Sequence, residues 1–143
     1  MTPYRKTAFI VGILFLVGDL AGISSGLIKT PLSSDASFPL NIAGNDTLWI
    51  LSAMLVLIMG LPLAMIPVVL YPIFKKQNET LAQGSILFRG VLEAGCYVAL
   101  TICTLCIATA AKSNSDPLTT QLLISQLNDA NTWIELILAI VFS

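Results

Sequence analysis

Long apolar stretches separated by short polar ones set the rhythm of this chain. The first covers residues 8–28. At a helical rise of about 1.5 Å per residue, some 21 residues cross a hydrocarbon core of roughly 30 Å. A second apolar run, residues 47–74, carries no charge, and a third covers 85–111 after an approach beginning near Leu81. A fourth begins near residue 130 and reaches the last residue at 143. Its apolar part from Trp133 on, about ten residues, is too short to cross alone, so it is expected as a span cut short. The pattern predicts an all-α fold, a polytopic transmembrane helical bundle with three full spans and a truncated fourth. All of it forms a single membrane domain, residues 1–143.

The segments between the runs read as connections. Residues 29–46 hold Pro31, Pro39, several serines and two aspartates, a composition that marks irregular structure. Residues 75–79 form a short charged turn. Before the fourth run, Asp116 is placed to cap a helix whose first position is Pro117. Residues 118–129 mix leucines with Thr, Gln, Ser and Asn, which suits the interface or a protein surface better than lipid. Within the second span, Pro62, Pro67 and Pro72 each lack an N–H and crowd the preceding turn, so the helix is expected to kink or loosen toward its C-terminal end.

Composition sharpens the picture. The chain is 56% apolar and 10% charged, against roughly 45–50% and about 25% in soluble domains. So few charges cannot cover a water-soluble surface. A formal net charge of -1 with no basic tract excludes a nucleic-acid partner, because phosphate binding needs clustered Lys and Arg. Arg5, Lys6, Lys75 and Lys76 fall on one side of the spans. Lys29 and Lys112 fall on the other among Asp35, Asp46, Asp116 and Asp129. Basic residues stay cytoplasmic, so the expected location is the cytoplasmic membrane, multi-pass, with the N-terminus in the cytoplasm. Arg5 and Lys6 also fit a signal-peptide n-region, with residues 8–18 as its apolar core, but the two apolar runs that follow favour a retained span.

Candidate chemistry is sparse. The sequence has no histidine, which removes the commonest metal ligand and the side chain best suited to proton transfer near neutral pH. Cys96, Cys103 and Cys106 share one apolar run without further ligands beside them, and free cysteine packs as a small hydrophobe. The in-span serines and threonines lack a neighbouring base. No metal, no cofactor and no catalytic residue is expected, and the chain is not expected to be an enzyme.

Two features inside the spans stand out. Gly18, Gly22 and Gly26 recur every four residues, a nearly side-chain-free stripe that lets helix backbones approach closely in lipid. Internal packing is its foremost use, and a homo-oligomer or another membrane partner the next. Asp19 lies about 16 Å into the first span by helix rise, where a lone charge costs on the order of 3 kcal/mol. Arg89 and Glu93, four residues apart, are neighbours on one helical face. From Leu81 they lie about 12 and 18 Å along the axis, so Glu93 and Asp19 share a depth. One guanidinium cannot neutralise two carboxylates, which predicts that one acid of this polar cluster holds a proton at neutral pH. Glu135 is expected at the interface.

The string Tyr71-Pro72, Lys75-Lys76, Asn78-Glu79, Leu81-Ala82, Gly84, Phe88-Arg89 and Glu93 resembles a bacterial membrane family known as domain of unknown function 4386. Tyr4 to Ala8 with Gly12, and Ala21-Gly22-Ile23, resemble the start of that family. The resemblance covers nearly the whole chain. It implies a multi-span helical protein of the bacterial cytoplasmic membrane and singles out Arg89 and Glu93. It promises no activity. The family continues past the run beginning at Trp133 through further spans, so the resemblance implies that this chain represents the N-terminal part of the family's length, as a fragment or a shortened member. The expected function is therefore that of a non-catalytic membrane protein, partnered by the bilayer, whose intramembrane charges serve packing. The alternative is a transporter or channel for a small solute, ion or proton, with those charges as a relay.

Overall fold

The computed structural model describes residues 3–33, 44–112 and 116–142. Helix α1 is Pro3–Ser33 and α2 is Asp46–Phe74. A third helical rod follows in three parts: α3, Glu79–Ser85; a π-helical segment, Ile86–Leu92; and α4, Glu93–Lys112. Helix α5, Pro117–Phe142, completes the described chain. Among the described residues there is no strand.

Three helical stretches are long and apolar enough to cross a membrane: Tyr4–Thr30, Asp46–Phe74 and Glu79–Lys112. Large apolar side chains such as Phe9, Leu16, Leu20, Ile23 and Leu27 stand exposed along α1. Lipid is the solvent that tolerates such a face. α5 is a continuous helix and is not one of those three stretches. Its mixed first half lies against protein: Ile124 is buried with Trp49, Ile107 and Ala108 in a core that ties α5 to α2 and α4, and Leu127 packs on it.

Helix ends and membrane limits obey different physics, and here they part. α1 continues hydrogen-bonded past the apolar run, so Lys29 and Thr30 are helical and not in a loop, and Thr30 Oγ1 donates to the Gly26 carbonyl at 2.8 Å. Most of the remainder of the expected loop, residues 34–43 including Asp35 and Pro39, lies outside the described residues. α3 likewise begins before the apolar run, where the Asn78 side chain caps it by accepting from the Thr80 and Leu81 N–H groups at 3.0 and 3.2 Å. α5 starts at Pro117, with the Thr120 N–H on the Asp116 carbonyl at 3.0 Å.

α2 stays helical through Pro62, Pro67 and Pro72. The irregularity appears in the rod it packs on. Gly90 of the π-helical segment comes close to α2, where an added Cβ would lie 3.5 Å from the Ala64 carbonyl and 3.7 Å from the Pro67 ring. α2 thus meets α1 on one side and the third rod on the other, while α5 packs on α4.

The two ends of the bundle differ in charge. At one, Lys76 Nζ donates to Tyr4 Oη at 3.3 Å and sits 5.4 Å from its ring centre, joining the start of α1 to the turn after α2. In that turn Lys75 pairs with Glu79 at 2.8 Å, and the carboxylate's hydrogen bond holds the Lys75 pKa above its ordinary value. At the other end Lys112 forms an ion pair with Asp46.

Candidate functional site

α1 and α5 flank a groove floored by α2 and α4 instead of packing closely on each other. They run antiparallel, and each lends it one face. The face of α1 follows Phe15, Asp19, Gly22, Gly26 and Lys29, with Ser25 and Thr30 at its edge; that of α5 follows Asn128, Asn131, Glu135 and Leu138, with Thr132 and Ala139 at its edge. Both series advance by three or four residues, the spacing that keeps side chains on one helical face.

The first polar cluster lies toward the Tyr4 end. A shallow cavity of about 300 Å³ is lined by Asp19, Arg89, Glu93 and Tyr97 with Phe15 and Leu63. The structure therefore brings Asp19, Arg89 and Glu93 to one place. Glu93 is 4% exposed. Arg89 Nε lies 3.3 Å from Glu93 Oε2, and Tyr97 Oη donates to Glu93 Oε1 at 3.5 Å. The arginine contact is an ion pair by distance without hydrogen-bond alignment, since Oε2 has no hydrogen-bond partner among the described residues. All three groups belong to one rod at four-residue intervals across the π-to-α junction. The Asp19 side chain is exposed toward the groove and forms no ion pair or hydrogen bond among the described residues.

Tyr97 is fixed from α2. A Cβ placed on Gly60 would lie 2.7 Å from Tyr97 Cβ and 2.9 Å from two ring carbons, closer than such atoms can approach. Only glycine lets α2 and α4 come this near at the level of Glu93. Thr101 Oγ1, one turn further on, donates to the Tyr97 carbonyl at 2.9 Å and lies 3.4 Å from the Ala53 carbonyl of α2.

A second polar cluster lies toward the Lys112 end, around a cavity of about 410 Å³. Its hub is Thr104, which is fully buried. The hydroxyl donates to the Leu100 carbonyl at 2.8 Å and accepts from Lys29 Nζ at 3.3 Å and Asn131 Nδ2 at 3.4 Å. One donated and two accepted bonds exhaust a hydroxyl. Thr104 thereby ties α1, α4 and α5 together, and Glu135 stands within electrostatic reach of Lys29.

The sequence model of one protein family matches residues 10–143. This chain belongs to that family, described as domain of unknown function (DUF4386). No curated protein and no solved structure matches it.

In this DUF4386 member the glycine stripe is divided in its surroundings. A Cβ on Gly18 would press on Leu63 at 3.2 Å and one on Gly22 would overlap Met59 Sδ, whereas Gly26 has nothing within 4 Å and borders the larger cavity. Cys96 and Cys103 are half-buried, Cys106 is exposed, and all three are free. The second cluster escaped the sequence reading, which left Lys29 in a loop and Glu135 at an interface. A signal was present: Asn128, Asn131, Thr132 and Glu135 form a polar stripe at helical spacing inside a segment otherwise rich in leucine and isoleucine.

Proposed function

We propose that this DUF4386 chain is a non-catalytic integral protein of the cytoplasmic membrane, partnered by the bilayer, in which the Arg89–Glu93–Tyr97 ladder serves packing. The observation that carries this is the state of Glu93: it is 4% exposed and both carboxylate oxygens face residues of its own rod. A carboxylate so enclosed presents little surface to the shallow cavity it borders, and so little to a substrate. The ladder spans the junction of Ile86–Leu92 with α4 and holds that junction against the α2 face where Gly60 and Pro67 allow close approach. The N-terminus is cytoplasmic in this proposal. Supporting it, the turn holding Lys75 and Lys76 meets Tyr4 beside Arg5 and Lys6, which gathers most of the basic residues at one end. The stretch 130–143 is taken as a fourth, shortened membrane segment, and Gly26, unlike Gly18 and Gly22, remains open to a homo-oligomer or membrane partner.

Flux across liposomes containing the purified chain, measured for the parent and Glu93→Gln, tests the assignment. Equal flux in both, with a lower unfolding temperature for the variant, is the expected result. Flux present in the parent and lost in a fully folded Glu93→Gln protein would overturn it in favour of a transporter or channel for a small solute, ion or proton.

A further inference from the structure

Hydrogen-bond capacity around the larger cavity is unevenly used. Thr104 is saturated, and its hydroxyl can only accept from Asn131, so the amide nitrogen must face it and the Asn131 oxygen must face away. That oxygen is buried without a hydrogen-bond partner among the described residues, on a residue 5% exposed that lines the cavity. The Lys29 ammonium carries three N–H donors, and Thr104 takes one of them. Glu135 lines the same cavity and makes no ion pair with Lys29 among the described residues. Two cationic donors on one wall thus face two kinds of acceptor on the other. A second cavity of about 290 Å³ adjoins at Gly26, Lys29 and Glu135, and its walls are mostly apolar, with Val56, Met59, Leu100 and Leu138. A polar chamber and an apolar one meet at a separated pair of opposite charges. Each is close to the size range of small-molecule sites, roughly 300–1,000 Å³.

We propose that the groove between α1 and α5 binds a small zwitterion bearing an apolar group: its oxyanion on Lys29, its ammonium on Glu135 and Asn131 Oδ1, and its apolar part against Val56, Met59 and Leu138. The ammonium matches acceptors that have no hydrogen-bond or ion-pair partner among the described residues, and the oxyanion completes the Lys29 shell. A neutral or singly charged molecule leaves one wall unmatched: without an ammonium the buried Asn131 oxygen stays unsatisfied, which is costly, and without an oxyanion the half-buried Lys29 keeps its free donors. A free amino acid with an aliphatic side chain and the head of an aminophospholipid share this chemistry.

Trp49 is 2% exposed and lines the larger cavity, while Trp133 is exposed, so Trp133→Phe leaves a single fluorophore at the site. Leucine is titrated into this protein in detergent. Parallel titrations use isocaproate, which lacks the ammonium, and isopentylamine, which lacks the carboxylate. The expected result is saturable fluorescence change with leucine and affinity about tenfold lower or worse for either fragment, as losing one charge-assisted hydrogen bond implies. Nanodiscs compare phosphatidylethanolamine with phosphatidylcholine, whose quaternary head has no N–H to donate. A response to the former lipid alone, with none to leucine, assigns the zwitterion to the bilayer. Glu135→Gln should weaken whichever response is seen by about tenfold. Should that variant not fold, the probe series on the parent still decides. Silence toward both leucine and phosphatidylethanolamine, binding of either fragment as tight as leucine, an equal response to both lipids with none to leucine, or an unchanged response in folded Glu135→Gln overturns the proposal.

Discussion

The two polar clusters of the groove answer the same problem in opposite ways. Around Glu93 the partners come from one rod, and α2 closes over them so tightly that Gly60 admits no Cβ beside Tyr97. Around Thr104 the partners come from three helices, and the charged groups at the edge face a space instead of each other. A buried charge can therefore be held by its own helix, which fixes local geometry. It can also be held across helices, which leaves room for something else to complete it. The first arrangement is sensitive to added volume, and the second to lost polarity.

Substitutions that add volume test the first half of this contrast most severely. Gly60→Leu is expected to abolish most of the monodisperse, detergent-solubilised yield, since the backbone-anchored Tyr97 Cβ cannot yield and overpacking costs about 1–3 kcal/mol even where neighbours can. Parent-like yield would show that α2 and α4 are not closely apposed. Next in size is Arg89→Gln, which leaves the buried Glu93 with Tyr97 alone and should lower stability by about 1–3 kcal/mol. Thermal unfolding of both singles and the Arg89→Gln/Glu93→Gln double variant should show the double recovering part of the loss. Strict additivity would deny the pair a structural role. Gly22→Leu should cost less, about 1 kcal/mol, because the obstructing Met59 sulfur lies on a flexible side chain.

At the open cluster the expectation reverses. Gly26→Leu should change stability by less than about 0.5 kcal/mol, yet fill the cavity and eliminate the Trp49 fluorescence response to leucine. A large stability loss there would mean the space is closed in solution. Smallest of all is Lys112→Gln, where an exposed lysine pairs with a half-buried Asp46 and no change in unfolding temperature at moderate salt is expected.

How much of this was legible beforehand follows from how local each signal is. Span positions depend on runs of apolar residues, so the helices through residues 8–28, 47–74 and 85–111 were readable directly. The shared depth of Asp19 and Glu93 needed only a constant rise per residue, and both do line one cavity. Ion pairing by Asp19 did not follow, because depth says nothing about the direction of a side chain around the helix. The Lys29, Asn131 and Glu135 cluster depends on α5 packing on α4 and leaving α1 apart, a choice made by the Trp49–Ile107–Ile124 core and invisible to any single segment. The π-helical segment has no pattern of its own in residues 86–92; it appears where Gly90 meets the Pro67 face.

That widened segment also sets the phase of everything on its α3 side. Its carbonyls bond one residue further along than in an α-helix, so it behaves as an inserted residue absorbed without breaking the rod. Deleting one residue between Ile86 and Leu92 would let the rod relax to uniform α-helix and swing α3 by about 100° about its axis. The α3 face that now turns inward with Ala82 would then point elsewhere, and the Lys75–Glu79 turn could no longer reach Tyr4. The length of this short stretch therefore acts as an angular setting that decides which side of α3 faces the bundle.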